Sequence, residues 1–205
     1  MKLTALAASL LLLCLSSAAS GAGEDHLLAG AQLFRERRFA EAYVEFEVAA
    51  RLGAGADARW YAAATLVKLD RAEDALEAFA AAEKAEPAFA DPLLDYYRAL
   101  ACYDARLYLC ADRILRGVGE KTGPVIAAQA RRMRGDIAAL FTAPPTQDTI
   151  DWYHSHAAAA QKENRRALAA LYQQEALALS ERRTDRRRQA EAGGSLSHVQ
   201  RERAP

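Results

Sequence analysis

One pattern of small and large residues recurs three times along this 205-residue chain, with successive copies 33 and 36 residues apart. In every copy, five positions fall at the same intervals and alternate small side chains with larger apolar ones. The copies are Gly30, Leu33, Ala42, Phe46 and Ala49; Ala63, Leu66, Ala75, Phe79 and Ala82; and Ala99, Cys102, Ala111, Leu115 and Val118. A period in the thirties is typical of helical-hairpin repeats, which stack on one another and present surfaces to partners.

The residue types favour helices throughout. Apolar residues make up 52% of the chain, and alanine is the commonest of them, whereas Val, Ile, Thr and Pro are sparse. Alanine has the highest helix propensity, and its small side chain lets helices approach closely. We therefore predict an all-α fold: a solenoid of about three antiparallel helical hairpins, followed by C-terminal capping helices.

Residues 1–22 have the features of a secretory signal peptide. Lys2 supplies a positive start, residues 10–15 are apolar, and small residues follow. Cleavage after Ala19 and cleavage after Ala22 both fit the small residues that signal peptidase requires. We therefore expect export, with the bacterial periplasm as the expected location and secretion as an alternative.

Two other fates of this N-terminal segment stay open. Lipoprotein processing would use Cys14, but Leu13 before it is large for that reaction. An uncleaved anchor would need the apolar run to cross a membrane, and the run is only marginally long enough. No later segment is expected to span a membrane.

Helix start and stop signals divide the rest of the chain. We predict repeats at 25–54, 57–87 and 91–118 within a repeat region, 23–120, and C-terminal helices over 121–183. Residues 184–205 are rich in Arg, Gln, Gly and Ser with little apolar content, so we expect a disordered tail. The stretch 149–183 fits one long helix or a hairpin broken near Asn164, and the hairpin, as a degenerate fourth repeat, is favoured.

The repeats resemble the tetratricopeptide repeat family over about half of the chain. The stretches that carry the resemblance are LLAGAQLFRERRFAEAYVEFEVAA (27–50), WYAAATLVKLDRAEDALEAFAAAEKAEP (60–87) and YRALACYDARLYLCADRILRGV (97–118). The second ends in the expected proline, Pro87, whereas the first has Ala54 there. The third copy is more divergent, since it has Cys102 at an apolar position and Leu115 at an aromatic one.

The resemblance implies a concave groove on the first helices of the hairpins, which grips extended or helical peptides. The aromatic side chains that would anchor a partner are Phe34, Trp60, Tyr96 and Tyr103. Arg35 and Lys68 occupy matching places and would hold a carboxylate. Aromatics suit this role because they bury much area at a low entropic cost. The alternative is that they pack against the next repeat or the C-terminal helices.

Nothing in the sequence marks a catalytic or cofactor site. There is no nucleophile motif, phosphate-binding loop or metalloprotease spacing. His154 and His156 are two residues apart and face different sides of a helix, which makes them a poor metal site. We expect no enzyme activity, no cofactor and no metal. Cys102 and Cys110 fit either a disulfide across the third hairpin or ordinary packing, with Cys110 nearer the surface.

Charge is unevenly distributed although the formal net charge is zero. Residues 24–120 hold 12 basic and 18 acidic side chains, and residues 121–205 hold 14 and 9. The arginine clusters at 131–134 and 182–188 are compatible with contact to anionic lipid, cell-wall polymer or an acidic protein, although a solvated surface is the favoured interpretation. Nucleic acid is not an expected partner of an exported protein.

Two function hypotheses follow. The first is a non-catalytic module or scaffold of the cell envelope that binds a protein or peptide partner in the concave helical groove. The alternative is a structural or assembly component of an envelope complex that contacts its partners through the C-terminal helices.

Overall fold

A computed structural model describes the backbone of residues 21–119 and 122–201, with side chains described as far as residue 189. The predicted signal peptide lies outside these residues except for its last two positions. All regular structure in the described part is helical, which confirms the predicted all-α class. Within the same residues, no helix is long and apolar enough to cross a membrane.

Nine helices account for this structure in the described residues. They are α1 (21–35), α2 (Phe39–Arg51), α3 (Ala56–Lys68), α4 (Ala72–Ala85), α5 (Pro92–Asp104), α6 (Tyr108–Leu115), α7 (Pro124–Leu140), α8 (Gln147–Lys162) and α9 (Arg166–Arg201). Helices that are neighbours in sequence pack together, including α2 with α3, α3 with α4, and α8 with α9.

The chain divides into two compact units, residues 1–105 and 106–205. Unit 1 contains α1 to α5, and unit 2 contains α6 to α9. The division falls in the turn between α5 and α6, inside the stretch 91–118 that the sequence suggests as the third repeat.

Four turns, each at the end of a helix, share one backbone conformation. A residue with positive φ stands in each of them: Arg37 (65°), Asp70 (58°), Arg106 (62°) and Asn164 (60°). A non-glycine residue in this left-handed region is uncommon, and it is a standard way of ending a helix. The first three turn residues are 33 and 36 positions apart, so the turns keep the spacing of the packing pattern.

Backbone hydrogen bonds close three of these turns in the same way. The amides of Arg38, Arg71 and Arg165 donate to the carbonyls of Leu33, Leu66 and Ala160, over 2.9, 3.0 and 2.9 Å. Each bond reaches back five residues to the end of the preceding helix and satisfies a carbonyl that the helix itself leaves unpaired.

The turn at Asn164 extends the packing pattern to α8 and α9. Counted from that turn, the three small positions of the pattern are taken by Ala157, Ala169 and Ala176, and Ala160 stands at the place of Leu33; all four alanines are buried. Gln173 takes the place of Phe46 and Phe79 and is exposed. The structure therefore has a hairpin in this stretch, the arrangement favoured from the sequence, and it lacks the large core residue of the first two copies.

The core of unit 1 depends on a close approach at Gly30 of α1. A Cβ atom added there would lie 2.7 Å from two ring carbons of Phe46 on α2. The matching residues of the other copies, Ala63 and Ala99, are alanines that are fully buried. The first hairpin therefore holds its phenylalanine against the glycine backbone.

The variant Gly30→Ala is expected to lose roughly 1–2 kcal/mol of unfolding free energy. Because the Phe46 ring is fully buried and cannot move away, the overpacking cost is expected in the upper half of the usual range of about 1–3 kcal/mol. It therefore exceeds the gain of about 1 kcal/mol in helix propensity. Chemical denaturation followed by circular dichroism measures the change. Gly135→Ala on α7 is the control, because Gly135 has open space around its Cβ position and should become more stable. A Gly30→Ala variant as stable as the parent would contradict the close approach.

Unit 2 is held by aromatic packing between α8 and α9. Tyr153 and Tyr172 are buried with their ring centroids 6.3 Å apart, and Ile150 and Leu168 are buried on the same two helices. The Tyr153 hydroxyl donates to the Arg106 carbonyl over 2.5 Å, which connects α8 to the turn that begins unit 2.

Two features differ from the sequence-based expectations. Helix α9 continues to Arg201, where a disordered tail is expected from residue 184. Its Ala, Arg, Gln and Glu residues have high helix propensity, and adding a turn to an existing helix needs no new nucleus. Cys110 is buried, as Cys102 is, whereas the sequence places it nearer the surface.

Candidate binding face of unit 1

Two of the four predicted aromatic anchors belong to the core of unit 1. The exposed fraction is 4% for Trp60 and 7% for Tyr96. The Trp60 ring lies 5.5 Å from the ring centroids of both Phe79 and Phe89, and the Arg98 guanidinium lies 5.9 Å from its centroid. In this conformation neither side chain is accessible to a partner. Both pack inside unit 1, which is the alternative that the sequence left open.

Burial leaves one polar atom of Trp60 unsatisfied. Its indole Nε1 is buried and has no hydrogen-bond partner among the described residues. An unsatisfied donor of this kind reduces stability. The indole is therefore held in place by the packing of its rings and not by a hydrogen bond.

The other predicted residues reach the surface of unit 1. Phe34 on α1 and Tyr103 on α5 are half-buried, whereas Arg35 on α1 and Lys68 on α3 are exposed. They come from the first helices of the hairpins, as the resemblance implies. We call the surface formed by these four residues and Tyr97 the first-helix face.

Tyr97 on α5 is the residue that sequence reasoning missed. Its half-buried ring meets the Phe34 ring edge-on, with centroids 6.0 Å apart. The Lys68 ammonium nitrogen lies 5.2 Å from the centroid of the same ring. Side chains from α1 and α3 therefore meet on one tyrosine of α5, and we call Phe34, Lys68 and Tyr97 the aromatic–lysine cluster.

Tyr97 stands next to the predicted Tyr96 in the sequence, and helix periodicity alone could not choose between them. Adjacent residues on a helix point about 100° apart, so two neighbouring tyrosines cannot both face the core. Burial raises the pKa of both phenols. For Tyr97, the nearby Tyr96 adds to this increase. Both hydroxyls therefore stay protonated at neutral pH.

An acidic residue accompanies the basic ones on this face. Asp104 on α5 occupies the place in the third copy that Arg35 and Lys68 occupy in the first two. Burial raises the pKa of Asp104, the neighbouring Asp70 carboxylate raises it further, and Lys68 opposes both effects. The face therefore combines two exposed cations, half-buried aromatic rings and a carboxylate near Lys68, a mixture suited to binding an amphipathic partner.

The histidines and other potential metal ligands form no cluster in the part of the chain that the structure describes. His154 is exposed, and His156 is half-buried with its ring stacked 3.7 Å from that of Trp152. The His156 Nδ1 atom lies 2.8 Å from the Trp152 carbonyl oxygen. The two side chains therefore lie on different faces of α8, as their spacing predicts.

Comparisons with known proteins add no relative. No family model matches the chain, and neither a curated protein nor a solved structure is similar to it at a significant level. The interpretation of the first-helix face therefore depends on the contacts described above.

Proposed function

We propose that this chain is a non-catalytic interaction module of the cell envelope, exported by its N-terminal signal peptide. Its tetratricopeptide-like hairpins form a short solenoid, and the first-helix face binds a peptide or protein partner. The observation that carries the proposal is the convergence of Phe34, Lys68 and Tyr97 from three successive first helices.

The repeated turns support the solenoid. A left-handed residue stands at the same register after α1, α3 and α8, and each of these helices reverses into its partner through the same kind of turn. Stacked repeats of this kind bury one continuous core and leave the first helices as a shared surface. Function in such folds lies in surface side chains and not in the scaffold.

The aromatic–lysine cluster has the chemistry of a binding site. Aromatic side chains are enriched in protein interfaces, where they anchor partners at low entropic cost. The Phe34 and Tyr97 rings would receive an apolar side chain of the partner. Lys68 and Arg35 would pair with its carboxylates, which is the role that the resemblance to tetratricopeptide repeats implies for them.

Charge reversal on this face tests the proposal. Full-length protein is used to capture partners from a cell-envelope extract, and recovery is quantified for the parent, Lys68→Glu and Lys84→Glu. We expect Lys68→Glu to reduce recovery of a specific partner about tenfold, equivalent to about 1.4 kcal/mol. Lys84→Glu is matched in charge and lies on α4, a second helix, so it should bind as the parent does.

Two outcomes would contradict the proposal. If both variants bind as the parent does, the first-helix face is not the interface, and the partner contacts unit 2 or another surface. If both lose binding equally, the attraction depends on overall charge and not on this face. Circular dichroism spectra and melting curves of the variants must match the parent for either conclusion.

A further inference from the structure

A groove with a volume of about 390 Å³ opens in unit 2. Its walls are α6, α7, the segment that joins α7 to α8, and α9. The apolar part of the lining consists mainly of Leu109, Ile137, Phe141, Pro144 and Pro145, and Asp112, Asp185 and Gln189 add polar surface beside it. This volume is within the range of pockets that hold small ligands or a few side chains of a peptide.

Three arginines lie around the apolar part of the groove: Arg134 on α7, and Arg182 and Arg186 on α9. Arg134 is already paired, since its Nε donates to Asp112 over 2.9 Å. Arg116 donates to the same carboxylate over 2.6 Å. Burial alone would raise the pKa of Asp112, but the hydrogen bonds from the two guanidiniums lower it overall. Asp112 is therefore neutralised by its own arginines.

Arg182 and Arg186 are different, because neither forms an ion pair within the described part of the chain. The Arg182 guanidinium lies 5.1 Å from the centroid of the Phe141 ring, which fixes its position over the apolar floor. Arg186 follows one helical turn later on the same side of α9. Asp185, an acidic residue of the lining on α9, lies 4.0 Å from Arg188. Two guanidiniums therefore border the recess without an ion pair among the described residues, although Asp185 belongs to the same wall and the Arg182 charge acts to lower the pKa of the buried Glu175.

We propose that this groove binds a short acidic peptide segment of a partner protein. A carboxylate of the peptide pairs with Arg182 and Arg186, and a neighbouring aliphatic or aromatic side chain packs against Phe141 and Pro145. Arginine suits this role because its planar guanidinium donates two parallel hydrogen bonds to a carboxylate. The groove lies in unit 2, so this site is independent of the first-helix face.

The recess favours a peptide over a membrane surface as the occupant. A flat anionic bilayer attracts basic side chains according to their number near the surface, and it would engage the exposed Arg131 and Arg132 of α7 as readily as the groove arginines. A peptide gains in addition from the apolar floor, which a headgroup layer does not reach. The two occupants therefore respond differently to substitutions inside and outside the groove.

Selection from a random peptide display library on the full-length protein tests the proposal. The expected result is enrichment of peptides in which Asp or Glu stands beside an aliphatic or aromatic residue. Fluorescence anisotropy then measures an enriched peptide against two doubly substituted proteins at one ionic strength. Arg182→Glu with Arg186→Glu should weaken binding at least tenfold, whereas Arg131→Glu with Arg132→Glu, an equal change of charge, should alter it less than threefold.

A single variant, Arg186→Glu, guards against disturbance of the Phe141 contact, since Arg186 is exposed and has no such contact. It should also weaken binding, by about threefold or more. Enrichment of peptides without carboxylates, no enrichment, or equal loss in the two double variants would overturn the proposal. A further contradicting outcome is that no peptide is enriched while the protein binds phosphatidylglycerol vesicles and both double variants lose this binding equally. That result would assign the arginines to a membrane surface.

Discussion

The variant Glu175→Ala is expected to lose roughly 1–3 kcal/mol of the unfolding free energy of unit 2. Glu175 lies on α9 with an exposed fraction of 3%. Its two carboxylate oxygens accept hydrogen bonds from the backbone amides of Leu109, over 2.6 Å, and Cys110, over 3.0 Å. These amides belong to the first turn of α6 and have no partner within that helix.

Glu175 therefore acts as the N-terminal cap that α6 lacks in its own sequence. The residue before α6 is Leu107, and its side chain makes no capping hydrogen bond. A carboxylate at a helix N-terminus also interacts favourably with the helix dipole. Removing it takes this acceptor away from two amide donors at a largely buried position, which costs more than the loss of an exposed ion pair.

Two measurements check this expectation. Chemical denaturation gives the change in unfolding free energy, and hydrogen exchange of the Leu109 and Cys110 amides should accelerate in the variant. Glu181→Ala, an exposed glutamate on the same helix, is the matched control and should change stability by less than about 0.5 kcal/mol. If Glu175→Ala and Glu181→Ala change stability equally and amide exchange is unchanged, Glu175 does not cap α6.

The same carboxylate makes stability depend on pH. Burial raises the pKa of Glu175 above its ordinary value of 4.5. The hydrogen bonds from Leu109 and Cys110 and the charges of Arg113 and Arg182 act in the opposite direction, but burial has the larger effect. A folded-state pKa above the unfolded one means that this group contributes most below pH 4.5 and less as the pH rises through the folded value. Burial and the Glu175 charge likewise raise the pKa of Tyr153 on α8, which stays neutral in this range.

Glu175→Gln isolates this effect, because the amide oxygen still accepts a backbone hydrogen bond but does not ionise. The quantity to follow is the unfolding free energy of the parent minus that of Glu175→Gln at each pH. This difference should fall as the pH is raised from 4 to 7. All other titrating groups cancel in that difference. A difference that stays constant or rises over this range would show that the buried carboxylate does not have a raised pKa.

Phe79→Ala is expected to be the most damaging single substitution in unit 1, at about 3–5 kcal/mol. The Phe79 side chain is 1% exposed, and its ring centroid lies 5.5 Å from that of Trp60. Truncation removes apolar burial and leaves a cavity beneath an indole that has no hydrogen bond of its own. Trp60 fluorescence should therefore shift to longer wavelength in the folded variant as water reaches the ring.

Gln173→Ala provides a control at the same place in the pattern. Counted from its turn, Gln173 of α9 matches Phe79 of α4, but it is exposed. Its replacement should change stability by less than about 0.5 kcal/mol. If Gln173→Ala were as damaging as Phe79→Ala, the fourth hairpin would be packed like the first ones, contrary to the structure.

Local rules made the helical part of this protein predictable from sequence. Helix propensity depends on each residue and its near neighbours, and the 33- and 36-residue spacing marks where hairpins repeat. The left-handed turn residues Arg37, Asp70 and Arg106 keep that spacing. The same rules indicated the break near Asn164, where α8 ends and α9 begins.

The candidate sites were only partly predictable, because burial depends on contacts between distant segments. Trp60 and Tyr97 illustrate this, since the sequence suggested Trp60 and Tyr96 as anchors, yet Tyr97 is the tyrosine that meets Phe34 and Lys68. A helix wheel shows which residues share a face but not how a neighbouring helix rotates against that face.

The sequence by itself determined the all-helical class and the register of the hairpins, because both follow from short-range propensity and spacing. Tertiary structure alone decided which aromatic side chains are buried, and that Glu175 caps a helix 65 residues away from it. It also brought arginines of α9 to the apolar groove that α7 and its following loop help to form. Those outcomes depend on the packing of whole helices, which no local pattern encodes.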